Sequence, residues 1–533
     1  MTERLIHHFA RGLEVSPAKP ALWVNEEHLS YTQLAELASG IAASLQDDST
    51  QGSQFTGILA HRSLPAYAGI LGVLLAGKGY VPLNPKFPAK RCAAMIERSG
   101  LESVVLDVDQ LDVFGPVLDA VTSPLCVVVL GQQDTGALEA RFPNHRFVES
   151  TPLPIEEQRL TASGGPAEIA YLLFTSGSTG EPKGVPIQHS AVCHYVDNII
   201  SLYGPSPDDR FSQTFDLTFD LSVHDLFVAW GSGACLYILP ERYVMAPAKF
   251  IRDHELTFWF SVPSTVAFMA RFRMLRPDFF PSLKCSLFCG EALPVGSAAR
   301  WQEAAPNSRI DNLYGPTEAT IAFTTYRYEA GISESLAENG IMPIGDAMPG
   351  LYTAILDNAG SLVKDGVIGE LALGGPQLSP GYWRDPEKTA ERFLLNPNGH
   401  SPQRWYRTGD RARRDGQRGL VFLGRMDSQI KILGHRVEIG EIEHAVREAS
   451  GSEDVCVIAW PLTSEGAGGV VAFIAGYEQA TDALIERCRD VLPEYMVPKE
   501  IHTPERLPLN ANGKVDRKAL RADLEAAQEK ANR

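Results

Sequence analysis

The sequence predicts an α/β protein of several domains, and three observations lead to this prediction. The first three hundred residues alternate short β-rich apolar segments with helical patterns, which is typical of parallel sheets covered by helices. From about Asn358 short strands and glycine-rich turns follow, which indicates a small β-barrel-like part. A compact α+β unit of ordinary domain size ends the chain. We therefore expect a large N-terminal domain with βα-layered subdomains (1–424), a boundary segment (425–428) and a small C-terminal domain (429–533).

Individual elements of the N-terminal part follow from the same patterns. Apolar, β-rich segments predict buried strands at Gly57–Ala60, Ser103–Leu106 and Cys126–Leu130. Longer segments with helical character predict helices over Tyr31–Leu45 and Pro65–Ala76. This succession of strand and helix is what a layered α/β domain requires.

The C-terminal unit is expected to begin with a strand at Gln429–Leu433, followed by a helix from about Glu438. A strand at Asp454–Ala459 and a helix over 480–492 come next. A basic loop is expected to end the chain.

The composition is that of a globular protein without an obvious nucleic-acid or membrane surface. The 533 residues carry a formal net charge of −17, which argues against broad binding to nucleic acid or to an anionic membrane. The longest apolar stretch, Ala68–Gly77, is too short to span a bilayer, and the N-terminus lacks the apolar core of a signal peptide. The eight cysteines form no Cys-x-x-Cys pair, so we expect buried, reduced thiols in a cytoplasmic protein.

The strongest local signal is Tyr171–Gly184, where an apolar strand leads into a loop rich in glycine and hydroxyl residues. Gly177 and Gly180 allow backbone N–H groups to approach an anion, and Lys183 adds a positive charge. The spacing is not that of a Walker P-loop. A flexible Ser/Gly turn is the alternative, but the preceding strand and the lysine favour phosphate binding. The hydroxyl residues of this loop are Thr175, Ser176, Ser178 and Thr179.

This loop resembles the signature of the adenylate-forming superfamily, which includes acyl-CoA synthetases, luciferases and the adenylation domains of nonribosomal peptide synthetases. The resemblance covers nearly the whole chain and implies the ANL-type fold of that superfamily. The other matching segments, in the expected order, are Leu29–Leu34, Leu75–Asn84, Asn312–Glu318, Gly369–Leu371, Tyr406–Asp410, Gly424–Ile432, Gly434–Glu438 and Asn512–Asp516.

The resemblance implies a first half-reaction in which a carboxylate attacks the α-phosphate of ATP, giving an acyl-adenylate and pyrophosphate. Glu318 is the implied Mg²⁺ ligand, Thr317 the implied α-phosphate contact, and Lys514 the implied catalytic lysine. Asp410 is implied to accept both ribose hydroxyls, with Arg425 nearby. The implied ATP-binding residues are Thr175, Ser176, Gly177, Ser178, Thr179, Gly180, Lys183, Gly290, Glu291, Ala292, Asn312, Tyr314, Asp410 and Arg425.

In the implied site Tyr314 offers a ring on which adenine can stack, and Asn312 suits the adenine amino edge. Several of the implied roles also have a simpler structural alternative. Without the resemblance, the same segment would be a turn that enters a helix, with Glu318 near the positive helix end. Asp410 would be an ordinary turn residue, and Lys514 an exposed lysine of a basic tail.

The segment Phe219–Phe227 resembles the substrate-facing motif of amino-acid adenylation domains. An α-ammonium group needs a buried anion as its partner, because an unpaired buried charge is costly, and Asp220 fits that role. Asp216 stands in a similar Phe-Asp-Leu-Thr segment four residues earlier, but the spacing to Gly233–Ala234 favours Asp220. An aspartate at this position favours an α-amino or imino acid over a fatty acid.

The pocket positions implied by the resemblance contain no arginine and no second acid, which disfavours a strongly charged side chain. Leu287, Leu313 and Ile321 resemble pockets for glycine, serine and cysteine, so a small amino acid with an uncharged side chain is expected. Serine, cysteine, glycine, alanine and proline all stay open. His224 is equally well interpreted as a substrate contact or as a neutral histidine of the core. These positions are Asp220, Leu221, His224, Ser261, Leu287, Cys289, Leu313, Ile321, Ala322 and Lys514.

A second half-reaction, transfer of the acyl group to a phosphopantetheine thiol, is also implied. Asp427 stands at the hinge position, and Gly434 would line the pantetheine tunnel after the small domain rotates. Because no carrier motif follows Lys514, we expect a separate carrier protein. An acid–coenzyme A ligase is the first alternative. A non-catalytic nucleotide-binding relative is the second, and the joint presence of Lys183, Glu318, Asp410 and Lys514 disfavours it.

Overall fold

The computed structural model describes residues 4–46, 52–155, 164–165, 167–175, 182–395, 403–426, 429–432, 434–463, 466–508 and 515–531. The chain divides into two compact units, and the main division falls between Met426 and Asp427, inside the predicted boundary segment. The larger unit contains residues 1–85, 92–174 and 184–426. The smaller one contains residues 427–533 together with the short segments 86–91 and 175–183.

The elements up to residue 347 alternate between strand and helix, as predicted. The strands are β1 (Pro20–Val24), β2 (Glu27–Ser30), β3 (Phe55–Leu59), β4 (Gly79–Pro82), β5 (Ser103–Leu106), β6 (Cys126–Leu130), β7 (Arg146–Ser150), β8 (Ile169–Thr175), β9 (Lys183–Gln188), β10 (Arg210–Gln213), β11 (Cys235–Ile238), β12 (Phe258–Ser261), β13 (Cys285–Phe288), β14 (Arg309–Tyr314), β15 (Thr324–Arg327) and β16 (Asp346–Ala347). The helices are α1 (Ile6–Val15), α2 (Tyr31–Leu45), α3 (Leu64–Leu75), α4 (Ala89–Ser99), α5 (Leu111–Ala120), α6 (Thr135–Arg141), α7 (His189–Tyr203), α8 (Leu221–Gly231), α9 (Glu241–Val244), α10 (Pro247–Asp253), α11 (Pro263–Arg271), α12 (Val295–Ala304) and α13 (Ile332–Leu336).

These strands form two sheets. The first has seven strands in the order β7-β6-β5-β3-β4-β8-β9, and the second has nine in the order β16-β15-β14-β13-β12-β10-β11-β1-β2. Strands β10 to β14 of the second sheet pair in parallel, whereas β2, β15 and β16 pair antiparallel at its edges. The parallel strands β3, β5 and β6 are the ones predicted from their apolar runs.

The helices predicted at the start of the chain are confirmed, and their local chemistry explains their bounds. Helix α2 begins after a capping box, in which the Ser30 hydroxyl accepts from the Gln33 N–H and the Gln33 side chain accepts from the Ser30 N–H. Helix α3 is buried along nearly its whole length, which suits its continuous apolar sequence.

The strand-rich part after residue 350 forms a five-stranded sheet in which the pairings among the described residues are antiparallel. It begins slightly before the Asn358 position at which the sequence pattern changes. Its elements are β17 (Tyr352–Leu356), β18 (Gly369–Gly374), α14 (Pro386–Arg392), β19 (Phe393–Leu395), β20 (Arg404–Asp415) and β21 (Gly419–Arg425).

The C-terminal unit is an α+β structure, as predicted, with one correction. The expected basic terminal loop is wrong, because a 15-residue helix occupies that position. Leu520 and Leu524, four residues apart, are buried from this helix against Phe473 and its neighbours, so tertiary packing stabilises a segment whose sequence looks polar. The elements are β22 (Gln429–Ile432), β23 (His435–Glu438), α15 (Ile439–Ser450), β24 (Val455–Ala459), β25 (Leu462–Thr463), β26 (Gly466–Ala467), β27 (Val470–Ile474), α16 (Thr481–Arg489), β28 (Glu500–His502) and α17 (Arg517–Ala531).

All eight cysteines are buried and free, as the sequence predicted. Within the described ranges, no helix combines the length and the apolar character needed to cross a membrane.

Candidate active site

The predicted site residues gather where neighbouring parallel strands end. Ser261 ends β12, Cys289 follows β13, and Tyr314 ends β14. The register places Ser261 beside Phe288 and Phe288 beside Asn312, so these strand ends lie at one edge of the nine-stranded sheet. The carboxyl edge of parallel strands is where open α/β sheets bind their ligands.

The connection from β14 to β15 doubles back on itself, and we call Gly315–Phe323 the folded-back turn. The Phe323 N–H donates to the Tyr314 carbonyl over 2.7 Å. A Cβ atom on Gly315 would lie 2.7 Å from the Cα of Ala322, so only glycine permits this approach. The alternative that this segment enters a helix is wrong, because Thr317–Ala319 form only a short 3-10 helix. The turn carries the predicted site residues Thr317, Glu318, Ile321 and Ala322.

Glu318 is fully buried, and its Oε1 accepts a hydrogen bond from the Tyr382 hydroxyl over 2.9 Å. Among the described residues, no group of three or more His, Cys, Asp or Glu side chains is arranged to hold a metal ion. A single carboxylate of this kind fits Mg²⁺ that is held mainly by substrate phosphates and water.

Asn312 presents an unused acceptor in a buried position. Its Nδ2 donates to the Pro343 carbonyl over 2.9 Å, which fixes the orientation of the amide because a carbonyl can only accept. Its Oδ1 is buried and has no hydrogen-bond partner among the described residues. Such an oxygen fits the donor that the adenine amino group would supply.

Asp410 lies within the long strand β20 and not in an isolated turn, so the simple-turn alternative is wrong. One of its carboxylate oxygens accepts from the Tyr314 hydroxyl over 2.5 Å, and the other from Arg425 Nη1 over 2.8 Å. Burial, followed by the charge of Asp410, holds the pKa of Tyr314 well above its usual value, so this hydroxyl stays a donor. Each carboxylate oxygen keeps a second lone pair for a ribose hydroxyl.

The segment after β13 contains three further residues implied in ATP binding. Gly290 has a φ of +93°. Glu291 accepts from the Ser264 N–H over 2.8 Å, so its side chain is engaged at the start of α11. The Glu291 side chain is therefore engaged within the protein, and binding of a nucleotide base by the backbone of Gly290, Glu291 and Ala292 stays a prediction.

The two candidate aspartates differ in their hydrogen bonding. Asp216 accepts from the Asn84 amide over 2.6 Å and from both the N–H and the hydroxyl of Thr218 over 2.9 and 2.6 Å. Asp220, immediately before α8, is buried, and its Oδ2 has no hydrogen-bond partner among the described residues. Of these two aspartates, only Asp220 therefore has a buried oxygen without a hydrogen-bond partner among the described residues, available for an ammonium group.

The surroundings of Asp220 perturb its acidity strongly. Burial raises the pKa of its carboxyl to about 7, and the nearby Glu318 carboxylate acts in the same direction. The Thr317 hydroxyl and the Ile321 N–H lower the pKa and offset part of this effect. Asp220 and the folded-back turn therefore belong to one electrostatic site.

The other pocket positions are nearly inaccessible to solvent. His224 shares a hydrogen bond of 2.8 Å between its Nδ1 and the Tyr195 hydroxyl, and burial lowers its pKa to about 3. The histidine is therefore neutral. Ser261 Oγ already accepts from Trp259 Nε1 over 3.0 Å. The exposed fraction is 3% or less for each of Leu221, His224, Ser261, Leu287, Cys289, Leu313, Ile321 and Ala322.

The remaining predicted residues are only partly described. Thr175 ends β8 and Lys183 begins β9, and Gly434 is buried with a φ of +83°. Ser176, Gly177, Ser178, Thr179, Gly180, Asp427 and Lys514 lie outside the described residues.

Sequence reasoning missed the partners of the site residues, Tyr195, Pro343 and Tyr382. Each contacts its site residue from a distant part of the chain, so local sequence patterns carry no signal for it.

A family model described as AMP-binding enzyme matches residues 9–383, and one described as AMP-binding enzyme C-terminal domain matches residues 441–514. The chain is 33% identical over 527 residues to tyrocidine synthase 3 of Brevibacillus parabrevis, covering 97% of this chain but only 8% of that protein. It is 34% identical to the adenylation domain AlmE of Vibrio cholerae, solved with glycyl-adenosine-5'-phosphate, with 98% of each chain covered and a TM-score of 0.90. The chain is also 36% identical in sequence to IdnL7, and the match covers 99% of this chain and 100% of that one with a TM-score of 0.71.

The buried carboxyl of Asp220 predicts a pH-dependent stability difference. Its pKa rises from 3.8 to about 7 on folding, so the carboxyl costs stability that is absent below pH 3.8 and fully present above pH 7. Asp220→Asn should therefore exceed the parent protein in free energy of unfolding by about 2–4 kcal/mol at pH 8, with a much smaller difference at pH 4.

Urea unfolding at both pH values measures this difference. The matched variant Asp216→Asn should instead be less stable than the parent at pH 8, because Asp216 loses hydrogen bonds to its charged form. A stability difference for Asp220→Asn that is the same at both pH values would contradict the argument.

Proposed function

The chain belongs to the AMP-binding enzyme family, and on that premise we propose that it activates a small α-amino acid with an uncharged side chain as its aminoacyl-AMP. The observation that carries this proposal is the unpaired, buried Oδ2 of Asp220 close to Thr317 and Ile321 of the folded-back turn. An α-ammonium group would supply the missing partner. A substrate without a positive charge would leave a carboxylate buried and unpaired, which is strongly unfavourable.

In the first half-reaction, an oxygen of the amino-acid carboxylate bonds to the α-phosphorus of ATP, and the bond to the departing pyrophosphate oxygen breaks. Asn312 and Asp410 would hold adenine and ribose, and Thr317 would contact the α-phosphate. Mg²⁺, held by Glu318 with the phosphates, would neutralise part of their charge. Lys514 is the proposed cation at the reacting centre. Positioning and electrostatic stabilisation supply the catalysis, because both reactants are anions.

Glycine is the favoured substrate among the small amino acids. The pocket positions are almost completely buried, so they leave little space for a substrate side chain. His224 is neutral and engaged with Tyr195, which makes it a poor partner for a charged side chain. The similar adenylation domain AlmE was solved with a glycyl adenylate, and this agrees with the same choice.

In the second half-reaction, we propose that a phosphopantetheine thiol of a carrier protein attacks the acyl carbon. A carbon–sulfur bond forms, AMP leaves with the bonding electrons, and the thiol proton is lost. An acid–coenzyme A ligase would use the same pantetheine arm. The ammonium-binding role proposed for Asp220 favours the carrier, because it assigns the enzyme to amino-acid substrates.

Amino-acid-dependent exchange of labelled pyrophosphate into ATP tests the first half-reaction. We expect the highest rate with glycine, lower rates with alanine and serine, and background rates with leucine, glutamate and lysine. Exchange with none of the twenty amino acids would refute the proposal. Trials of a holo carrier protein and of coenzyme A as acceptors then separate the two thiols.

The two neighbouring aspartates provide a matched pair for the ammonium role. Asp220→Ala should reduce kcat/KM for the amino acid by about a hundredfold or more, since a buried ammonium left without its partner loses about 3 kcal/mol. Asp216→Ala should have a much smaller effect, because Asp216 is already paired with Asn84 and Thr218. Pyrophosphate exchange measures both variants, and the reverse ranking would show that Asp216 is the ammonium partner.

Gly434 provides a test of the second half-reaction. Gly434→Leu should still form aminoacyl-AMP but load the carrier at least about tenfold more slowly, because a bulky side chain would block the proposed pantetheine path. Gly476→Leu is the control, because Gly476 also has a positive φ, +63°, but an added Cβ would meet no atom within 4 Å. Equal losses in adenylation and loading for Gly434→Leu would mean that Gly434 only supports folding.

A further inference from the structure

The folded-back turn contains two consecutive residues in a costly backbone conformation. Thr320 and Ile321 have φ values of +61° and +70°. Both are β-branched, and such side chains are genuine outliers at positive φ. Strain of this kind persists only where surrounding contacts enforce it, and it often occurs at functional sites.

The side chain of Gln377 supplies such contacts. Gln377 is fully buried, and its Nε2 lies 3.3, 3.3 and 3.0 Å from the carbonyl oxygens of Ala319, Thr320 and Ala322. The Thr320 hydroxyl donates in return to the Gln377 backbone carbonyl over 2.5 Å. Three carbonyl dipoles thus converge on one amide group, and without its donors they would be buried, unpaired and mutually repulsive.

A second layer fixes the orientation of this amide. His194 Nδ1 lies 3.1 Å from Gln377 Oε1, and since that oxygen can only accept, the histidine donates. His194 belongs to α7, and Asn198 one turn later donates to the Pro349 carbonyl over 3.0 Å. The amide is therefore held between the turn and a long helix.

We propose that Gln377 is a positioning residue for the amino-acid pocket, which it shapes by holding Ile321 and Ala322 in the strained turn. This proposal rests on the proposed function, because it takes those two residues as the pocket wall. Gln377 Nε2 approaches the carbonyl oxygens of Ala319, Thr320 and Ala322, which follow Thr317 and Glu318 in the turn. Among the described residues, no hydrogen bond joins Gln377 to the ATP-site residues Asn312 and Asp410. Its loss should therefore affect the amino acid more than ATP.

Gln377→Met tests this inference, because methionine has a similar length and no donor. A matched control exists at Gln302, whose Nε2 lies 3.0, 3.4 and 3.2 Å from the carbonyl oxygens of Ala305, Pro306 and Ser308. That turn precedes β14, at the opposite end of the strand from Tyr314. Gln302→Met removes the same type of contact away from the site.

Two measurements decide the question. Hydrogen exchange of the backbone amides of residues 320–323 should accelerate by at least about tenfold in Gln377→Met and stay unchanged in Gln302→Met. The KM for the amino acid should rise by at least about tenfold, while the KM for ATP stays within about twofold. Unchanged exchange in the turn, or equal rises of both KM values, would overturn the proposal.

If Gln377→Met does not fold, His194→Ala replaces it, because that variant keeps the amide and removes only its orienting donor. A smaller acceleration confined to the same turn supports the proposal, and none overturns it. Hydrogen exchange does not depend on activity. A parent enzyme that activates no amino acid would therefore refute the proposed function, while the exchange data would still decide whether Gln377 holds the turn.

Discussion

The active site depends on the close approach of two backbone segments at Gly315. Because the chain passes within contact distance of Ala322 there, β14 can end at the carboxyl edge of the sheet and return as β15 within nine residues. This return brings Thr317, Glu318 and Ile321 beside Asp220. A side chain at Gly315 would push the two segments apart and separate the groups proposed to bind phosphate from the group proposed to bind the ammonium.

This edge of the sheet carries the buried carboxylates of Asp220, Glu318 and Asp410, which differ in their hydrogen-bond partners. Asp410 is bonded to Tyr314 and Arg425, and Glu318 to Tyr382, so these two are held in place before any ligand binds. Asp220 keeps an unpaired oxygen and a raised pKa. The protein thus bears a desolvation cost at the one carboxylate whose proposed partner is the substrate, which makes that position selective for a cation.

Local sequence patterns correctly predicted the helices and strands whose stability depends on residues close together in the chain. Ser30 and Gln33 cap α2, and the apolar runs of β5 and β6 form parallel strands as predicted. The terminal helix α17 was missed because its stability comes from Leu520 and Leu524 packing on a distant strand. Motif resemblance identified Asn312, Asp410 and Glu318 as candidate site residues. Their contacts with Pro343, Tyr314 and Tyr382 are tertiary, and no short pattern contains those contacts.

The same distinction explains why pocket residues alone leave the amino acid open. Ile321 and Ala322 line the proposed pocket from a backbone that ordinary side-chain preferences disfavour, and that backbone is held by Gln377, which is not a pocket residue. Two proteins with identical pocket residues could therefore enclose different volumes if the residue at this position could not donate to the turn. The proposed preference for a small substrate would therefore depend on the turn together with the contacts that hold it, and residue identities at the pocket positions do not define it alone.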